Sequence, residues 1–182
     1  MEQEKFFELT DESIVIDGGT KLYRIKCVKE FKNINVGEIG GWIESENNLS
    51  GNAWVFGNAR VFGNARVFGN AAVYGNAEIS ADARIFGDAE IFGDAEIFGN
   101  AEILGKALVS RDEHVCWFSK FGSVSRTTTA YRNSAGGVSV TCGCFEGTLD
   151  EFAERVQKTH GDNKYSREYM AIINVIKIKF EL

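Results

Sequence analysis

Residues 51–110 read GNAWVF GNARVF GNARVF GNAAVY GNAEIS ADARIF GDAEIF GDAEIF GNAEIL GKALVS, ten hexads without an insertion. The third position is always Ala, from Ala53 to Ala107, and the fifth is always Val or Ile, from Val55 to Val109. Counting back by sixes reaches Leu49 and Ile43, so twelve aliphatic positions from Ile43 to Val109 hold one phase, and Val115 extends it. A helix cannot use this period. Six residues at ~100° each advance the apolar position by ~240°, and the stripe would circle the axis. A short strand can: in Ala-x-Val-Phe, alternation sends Ala and Val to one face and the variable residue and Phe to the other. The following Gly-Asn or Gly-Asp supplies a corner, because those residues tolerate left-handed backbone angles. Three such edges close a triangular coil of about 18 residues. Twelve hexads make about four coils, each rising by ~4.8 Å.

This pattern, an aliphatic residue every sixth position with a small residue two before it, resembles the left-handed parallel β-helix of the hexapeptide-repeat proteins. The resemblance implies a mainly β fold. The rest of the chain divides around the repeat. Residues 1–42 read as an N-terminal β cap (FFEL, SIVI, then LYRIKCV after Asp17-Gly18-Gly19), with Trp42 expected to cover the first coil. Residues 43–111 form the β-helix. Residues 112–182 read as a small α+β region of three strands (HVCWFSKF, SRTTTAYRN, GVSVTCGCF) and two helices. Thr148-Leu149-Asp150-Glu151 matches a capping box that opens the first helix, His160-Gly161-Asp162-Asn163 breaks it, and a second helix is expected from near Ser166.

Coils stack residues eighteen apart, so the outward columns follow: Phe56, Tyr74 and Phe92; Phe62, Ser80 and Phe98; Phe68, Phe86 and Leu104. Aromatics on every outer face predict an interface with other subunits or with the rest of the chain. Arg60 should pair with Glu78 across coils, and Asn58, Asn76 and Asp94 should form a corner ladder.

Net charge is −6 at pH 7, which argues against nucleic acid as a partner. No segment has the ~18 apolar residues of a membrane span, and the acidic start MEQEKFFELTDE is no signal peptide, so a cytoplasmic location is expected. Cys27, Cys116, Cys142 and Cys144 are too scattered for a disulfide framework. Cys142-x-Cys144 on one strand face, with Cys116 and His160, would be the one conceivable zinc set. Without paired ligand spacing, buried thiols are the better reading, and no metal or cofactor is expected. The candidate ligand-binding residues are Arg126, Thr128 and Arg132, on a polar cationic strand suited to an anion, and His160, Lys164 and Tyr165, in the expected interhelical cluster.

The segments LYRIKCVKEF, VGEIGGWIES and CGCFEGTLDEFAERVQKTHGDNKYSREY resemble hexapeptide-repeat proteins encoded by phages and prophages, a family with no activity to carry over by residue. The acyltransferases of the wider hexapeptide-repeat group are trimers whose base is commonly a His on a coil or an extruded loop. Here His114 and His160 lie outside a repeat that extrudes nothing. The expectation is therefore a non-catalytic phage or prophage binding or scaffold protein in the host cytoplasm, a homotrimer on its aromatic faces. Its partner would be a host protein or a small anionic ligand, with counter-defence by blocking or sequestration as the role. An acyltransferase-like enzyme with an atypical site is the alternative.

Overall fold

A computed structural model describes residues 5–182. The protein is mainly β, a parallel β-solenoid of about four turns with a sheet and two helices at its C-terminal end. Strands β1 (Phe7–Val15), β2 (Lys21–Cys27) and β3 (Ile39–Ile43) precede ten two-residue strands, β4 (Trp54–Val55) through β13 (Leu108–Val109). These stack in three columns, always eighteen residues out of step: Trp42, Arg60, Glu78, Glu96; Trp54, Ala72, Glu90, Leu108; and Arg66, Arg84, Glu102. The Ala and Val or Ile positions of the hexads fill the interior, and every aliphatic one from Val55 to Val109 has 0% exposure. Burying each Ile or Val contributes about 1.5–3 kcal/mol.

The corners are where glycine is required. At Gly87 (φ +73°) an added Cβ would lie 2.7 Å from the backbone nitrogen of Gly105, one coil below. Ala81 (φ +56°) stands at this position in the one hexad that begins Ala-Asp, in a conformation that costs an L-residue about 1–2 kcal/mol.

Strands β1, β2 and β3 form an antiparallel meander, and β3 joins the solenoid by pairing in parallel with Arg60–Val61. Phe7, Ile25 and Cys27 belong to the solenoid core and close its top. Trp42 does not. Ile43 takes the inward position, so its neighbour must face out, and the Arg24 guanidinium lies 4.2 Å from the Trp42 ring.

At the other end, β14 (Val115–Phe121), β15 (Arg126–Arg132), β16 (Val138–Cys142) and β17 (Phe145–Thr148) form an antiparallel sheet, followed by α1 (Leu149–His160) and α2 (Lys164–Phe180). The sheet has four strands, not the expected three: GVSVTCGCF reverses at Gly143 (φ +60°), and Phe145–Thr148 returns along β16. The capping box forms as expected, Thr148 Oγ1 accepting from Glu151 N–H at 3.2 Å and Glu151 accepting from Thr148 N–H at 2.7 Å. Asn163 caps α2 and starts it at Lys164, two residues before Ser166. Among the described residues no helix is long and apolar enough to cross a membrane.

Strand β15 joins the two parts. Outward N–H groups of each coil donate to carbonyls of the next, so the last coil leaves its own donors without a successor. Thr129 Oγ1 accepts from Glu102 N–H at 3.1 Å, Tyr131 Oη from Leu104 N–H at 3.4 Å, and Asp112 Oδ1 from Glu96 N–H at 2.9 Å. Thr141 Oγ1 donates to the Glu102 carbonyl at 2.8 Å. Tyr131 belongs to the solenoid core, whereas the adjacent Ala130 belongs to a second core with Val140, Phe152, Tyr169 and Ile173. The Tyr131→Phe and Thr129→Val variants each leave a partly buried N–H of the last coil unpaired. Urea unfolding should show each losing about 1–3 kcal/mol. Losses below a few tenths would mean that the end of the solenoid is not closed by these side chains.

Candidate functional site

Between the solenoid wall and the C-terminal sheet runs a polar cleft of about 720 Å³. One wall is the outward column Arg66, Arg84 and Glu102 with the corner residues Asn64, Asp82 and Asn100 beside it. Its upper rim is the short turn at Ser45–Asn48, and its lower rim is Arg126 and Thr127 of β15 with Gly143. Each element is held there by its backbone chemistry. Asn48, 1% exposed, donates from Nδ2 to the carbonyls of Gly63 (3.0 Å) and Ala65 (2.9 Å), which pins the rim onto the second coil. The bonds of Thr129 and Thr141 to Glu102 place Arg126 at the bottom. Arg66 and Glu102 are two coils apart, so the wall spans about 10 Å.

Most polar groups in the cleft are already engaged. Ser45 Oγ bonds Asn48 Oδ1 (3.4 Å), Thr127 Oγ1 bonds Ser119 Oγ (3.0 Å), Asp82 accepts from Asn64 (3.1 Å), and Glu102 pairs with Arg84 (3.0 Å). Arg66 and Arg126 are not: both are exposed, and among the described residues neither side chain has an ion-pair or hydrogen-bond partner. Arg66 also sits in direct register with Arg84. On another column the expected opposite-charge pair forms, with Arg60 Nη1 2.6 Å from Glu78 Oε1, and Glu78 in turn sits in register with Glu96, a like-charge step. The expected ladders form too, Asn58 donating to Asn76 (3.5 Å) and Asn76 to Asp94 (3.0 Å). The Arg66–Arg84 stack is a cationic step of the same kind as Glu78 over Glu96, and it faces the cleft. Two residues adjoining the lining, Ala81 beside Asp82 and Ser125 beside Arg126, have positive φ (56° and 52°).

Of the candidate ligand-binding residues, only Arg126 lines this cleft. Thr128 is buried against the second core, its hydroxyl donating to Cys142 Sγ at 3.4 Å. Arg132 donates to the Phe180 carbonyl at 2.9 Å and so caps the C-terminus of α2. Lys164 pairs with Glu168 at 3.5 Å at the opposite end of the same helix, about 24 Å away at 1.5 Å per residue. His160 is the last residue of α1 and stacks on Tyr169 (ring centroids 5.7 Å), with Tyr165 at 6.0 Å. Arg126, Thr128 and Arg132 thus have three different surroundings, while His160, Lys164 and Tyr165 group at the connection between α1 and α2, outside the cleft lining. Sequence reasoning passed over Arg66 and Arg84, although the like-charge step at an interval of eighteen residues was there to be read.

The outward aromatics stack on one another. Phe68 and Phe86 lie parallel at 4.7 Å, Tyr74 and Phe92 at 5.0 Å, and Phe56 meets Tyr74 edge-on at 6.4 Å. Phe98, 51% exposed, packs edge-on against Trp117 at 4.8 Å, and Phe62 is half-buried. Cys142 and Cys144 do not share a strand face: Cys142 ends β16 in the core, and Cys144 lies exposed in the following turn. Burial pushes the Cys116 thiol up to about 11. Among the described residues no three His, Cys, Asp or Glu side chains group as metal ligands.

His114 lies at the last coil. Its Nδ1 faces Ser110 Oγ at 3.2 Å, and its Nε2 faces Arg111 Nε at 3.1 Å. Partial burial, then Arg111 and Arg132, hold its pKa below the usual histidine value. A ring with a guanidinium on one nitrogen and no carboxylate orienting the other is poorly placed as a general base.

Two measurements follow. Removing the cationic stack with Arg66→Gln should raise ligand-free stability by about 0.2–1 kcal/mol in urea unfolding; a loss would show that Arg66 has a structural partner. The unfolded chain binds the His114 proton more readily than the folded one, so stability should fall as pH drops below about 6.5, and His114→Asn should flatten that slope. An NMR titration midpoint for His114 above that of a free histidine would contradict this.

No protein-family model and no curated protein matches this sequence.

Proposed function

We propose that the protein is a non-catalytic binding protein that holds a small anionic ligand in the cleft between its solenoid and its C-terminal sheet. The observation that carries this reading is the pair of unpartnered guanidinium groups, Arg66 on the solenoid wall and Arg126 on the lower rim of one polar cleft, both exposed in a chain of net charge −6. A guanidinium offers five donors in a fixed fork and accepts nothing, so a cleft with two of them free is matched to an anion. Its location supports the same reading, since ligand sites favour the junctions between packed parts of a fold. The engaged state of the hydroxyls and carboxylates supports binding rather than proton transfer.

The resemblance to phage- and prophage-encoded proteins supports capture as the activity itself, by sequestration of a ligand of the host cell. Assembly through the aromatic faces would then multiply identical clefts on a rigid frame.

Native mass spectrometry of the full chain purified from host cells tests both parts. A retained small-molecule mass is expected for the unaltered protein and should be absent from the Arg66→Gln, Arg126→Gln double variant. The same spectrum reports the copy number, with three copies expected. An identical bound mass in the double variant would remove the cleft from the function.

A further inference from the structure

We infer that the cleft takes a hydroxyl-bearing small molecule with two phosphoryl groups, one bound between Arg66 and Arg84 and the other by Arg126. This deepens the anionic-ligand reading and rests on it. Arg66 and Arg84 occupy facing positions on parallel strands, which puts their side chains one strand spacing, about 4.8 Å, apart at the base. Two forks at that spacing suit one group with several acceptor oxygens. A phosphate monoester carries a charge of about −1.5 to −2 and three acceptor oxygens, so both guanidinium groups can share it.

A carboxylate ligand fits less well. The cleft already holds Asp82 and Glu102, and Glu102 occupies one arm of Arg84. A carboxylate offers only two acceptor oxygens, enough for one fork, whereas a phosphoryl group offers three and can engage Arg66 and the free arm of Arg84 together. Asp82 and Glu102 can also accept from a ligand that donates, as hydroxyl groups do. Asp82 keeps one oxygen beyond its bond from Asn64, and Asn100 adds an amide on the same corner. Arg126 stands on the lower rim, where an added Cβ on Gly143 would come within 2.6 Å of its Nη1. That glycine leaves room for the Arg126 guanidinium at the rim. The cleft's volume of about 720 Å³ matches a nucleotide-sized body, within the range of about 300–1,000 Å³ usual for small-molecule sites.

Titration calorimetry on the full chain tests this with ADP, fructose 1,6-bisphosphate and citrate as probes. Binding of at least one phosphorylated probe is expected, weakened about tenfold or more by Arg66→Gln and by Arg126→Gln, each with an unchanged circular dichroism spectrum. Arg66→Lys should recover only part of the loss, because an ammonium lacks the fork. Preference for ADP identifies a nucleoside body, and preference for the bisphosphate a sugar. Citrate binding that needs both arginines, with neither phosphorylated probe bound, overturns the phosphoryl assignment and leaves the anion site standing. Absence of any arginine-dependent binding at about millimolar probe overturns both.

Discussion

Each coil donates its outward N–H groups to the carbonyls of the coil eighteen residues later, as Trp54 does to Ala71 at 3.1 Å and Phe56 to Val73 at 2.8 Å. The bonding is directional, so a stack of parallel coils begins with unpaired acceptors and ends with unpaired donors. A buried unpaired N–H costs about 1–3 kcal/mol, which makes the ends, not the middle, the limiting part of a solenoid. At the top, β3 turns from antiparallel to parallel pairing and hands its donors to the coil below. At the bottom there is no following coil, and the hydroxyls of Thr129 and Tyr131 and the carboxylate of Asp112 take its place. The C-terminal sheet is therefore fixed to the solenoid at defined backbone atoms. The cleft beside that junction inherits its shape from the same bonds.

The solenoid was legible in the sequence because its information is periodic. One inward position every six residues fixes strand, face and coil together, and the eighteen-residue step then dictates which side chains meet. Arg60 with Glu78 and Asn76 with Asp94 follow from that step alone. The C-terminal sheet has no such repeat. In β15 both faces are buried, one against the solenoid and the other against α1 and α2, so alternation between polar and apolar residues disappears. Thr128 and Thr129 look equally available in sequence, yet one points at Cys142 and the other at the backbone of Glu102. A polar, cationic strand thus resembled a ligand surface where it is in fact a seam. Only Arg126, at the end where the seam opens, keeps its side chain in the cleft.

The same contrast explains why the cleft was half visible. Its C-terminal rim was suggested by Arg126, but its solenoid wall required comparing Arg66 with Arg84 across a coil. Trp42 was misplaced for a related reason. A large apolar residue at the start of the repeat invites the role of plug, but strand alternation leaves only one inward site, and Ile43 holds it. Arg24 then covers the outward ring.

The outer surface of the solenoid mixes favourable and unfavourable contacts between coils. Opposite charges are paired on one column, corner amides are laddered, and aromatic rings are stacked, each contributing a few tenths of a kcal/mol to about 1 kcal/mol between coils. Beside the cleft stand a like-charge stack, an Ala at positive φ and a Ser at positive φ, all of which oppose folding in the ligand-free chain. Glycine at position 81 would remove one of these costs without altering any side-chain contact in the core, and a Glu at position 66 would turn the repulsion into a pair with Arg84. The repeat offers such solutions elsewhere along its length. On the anion-binding proposal, the repulsion between Arg66 and Arg84 is offset when an anion bridges the guanidinium groups.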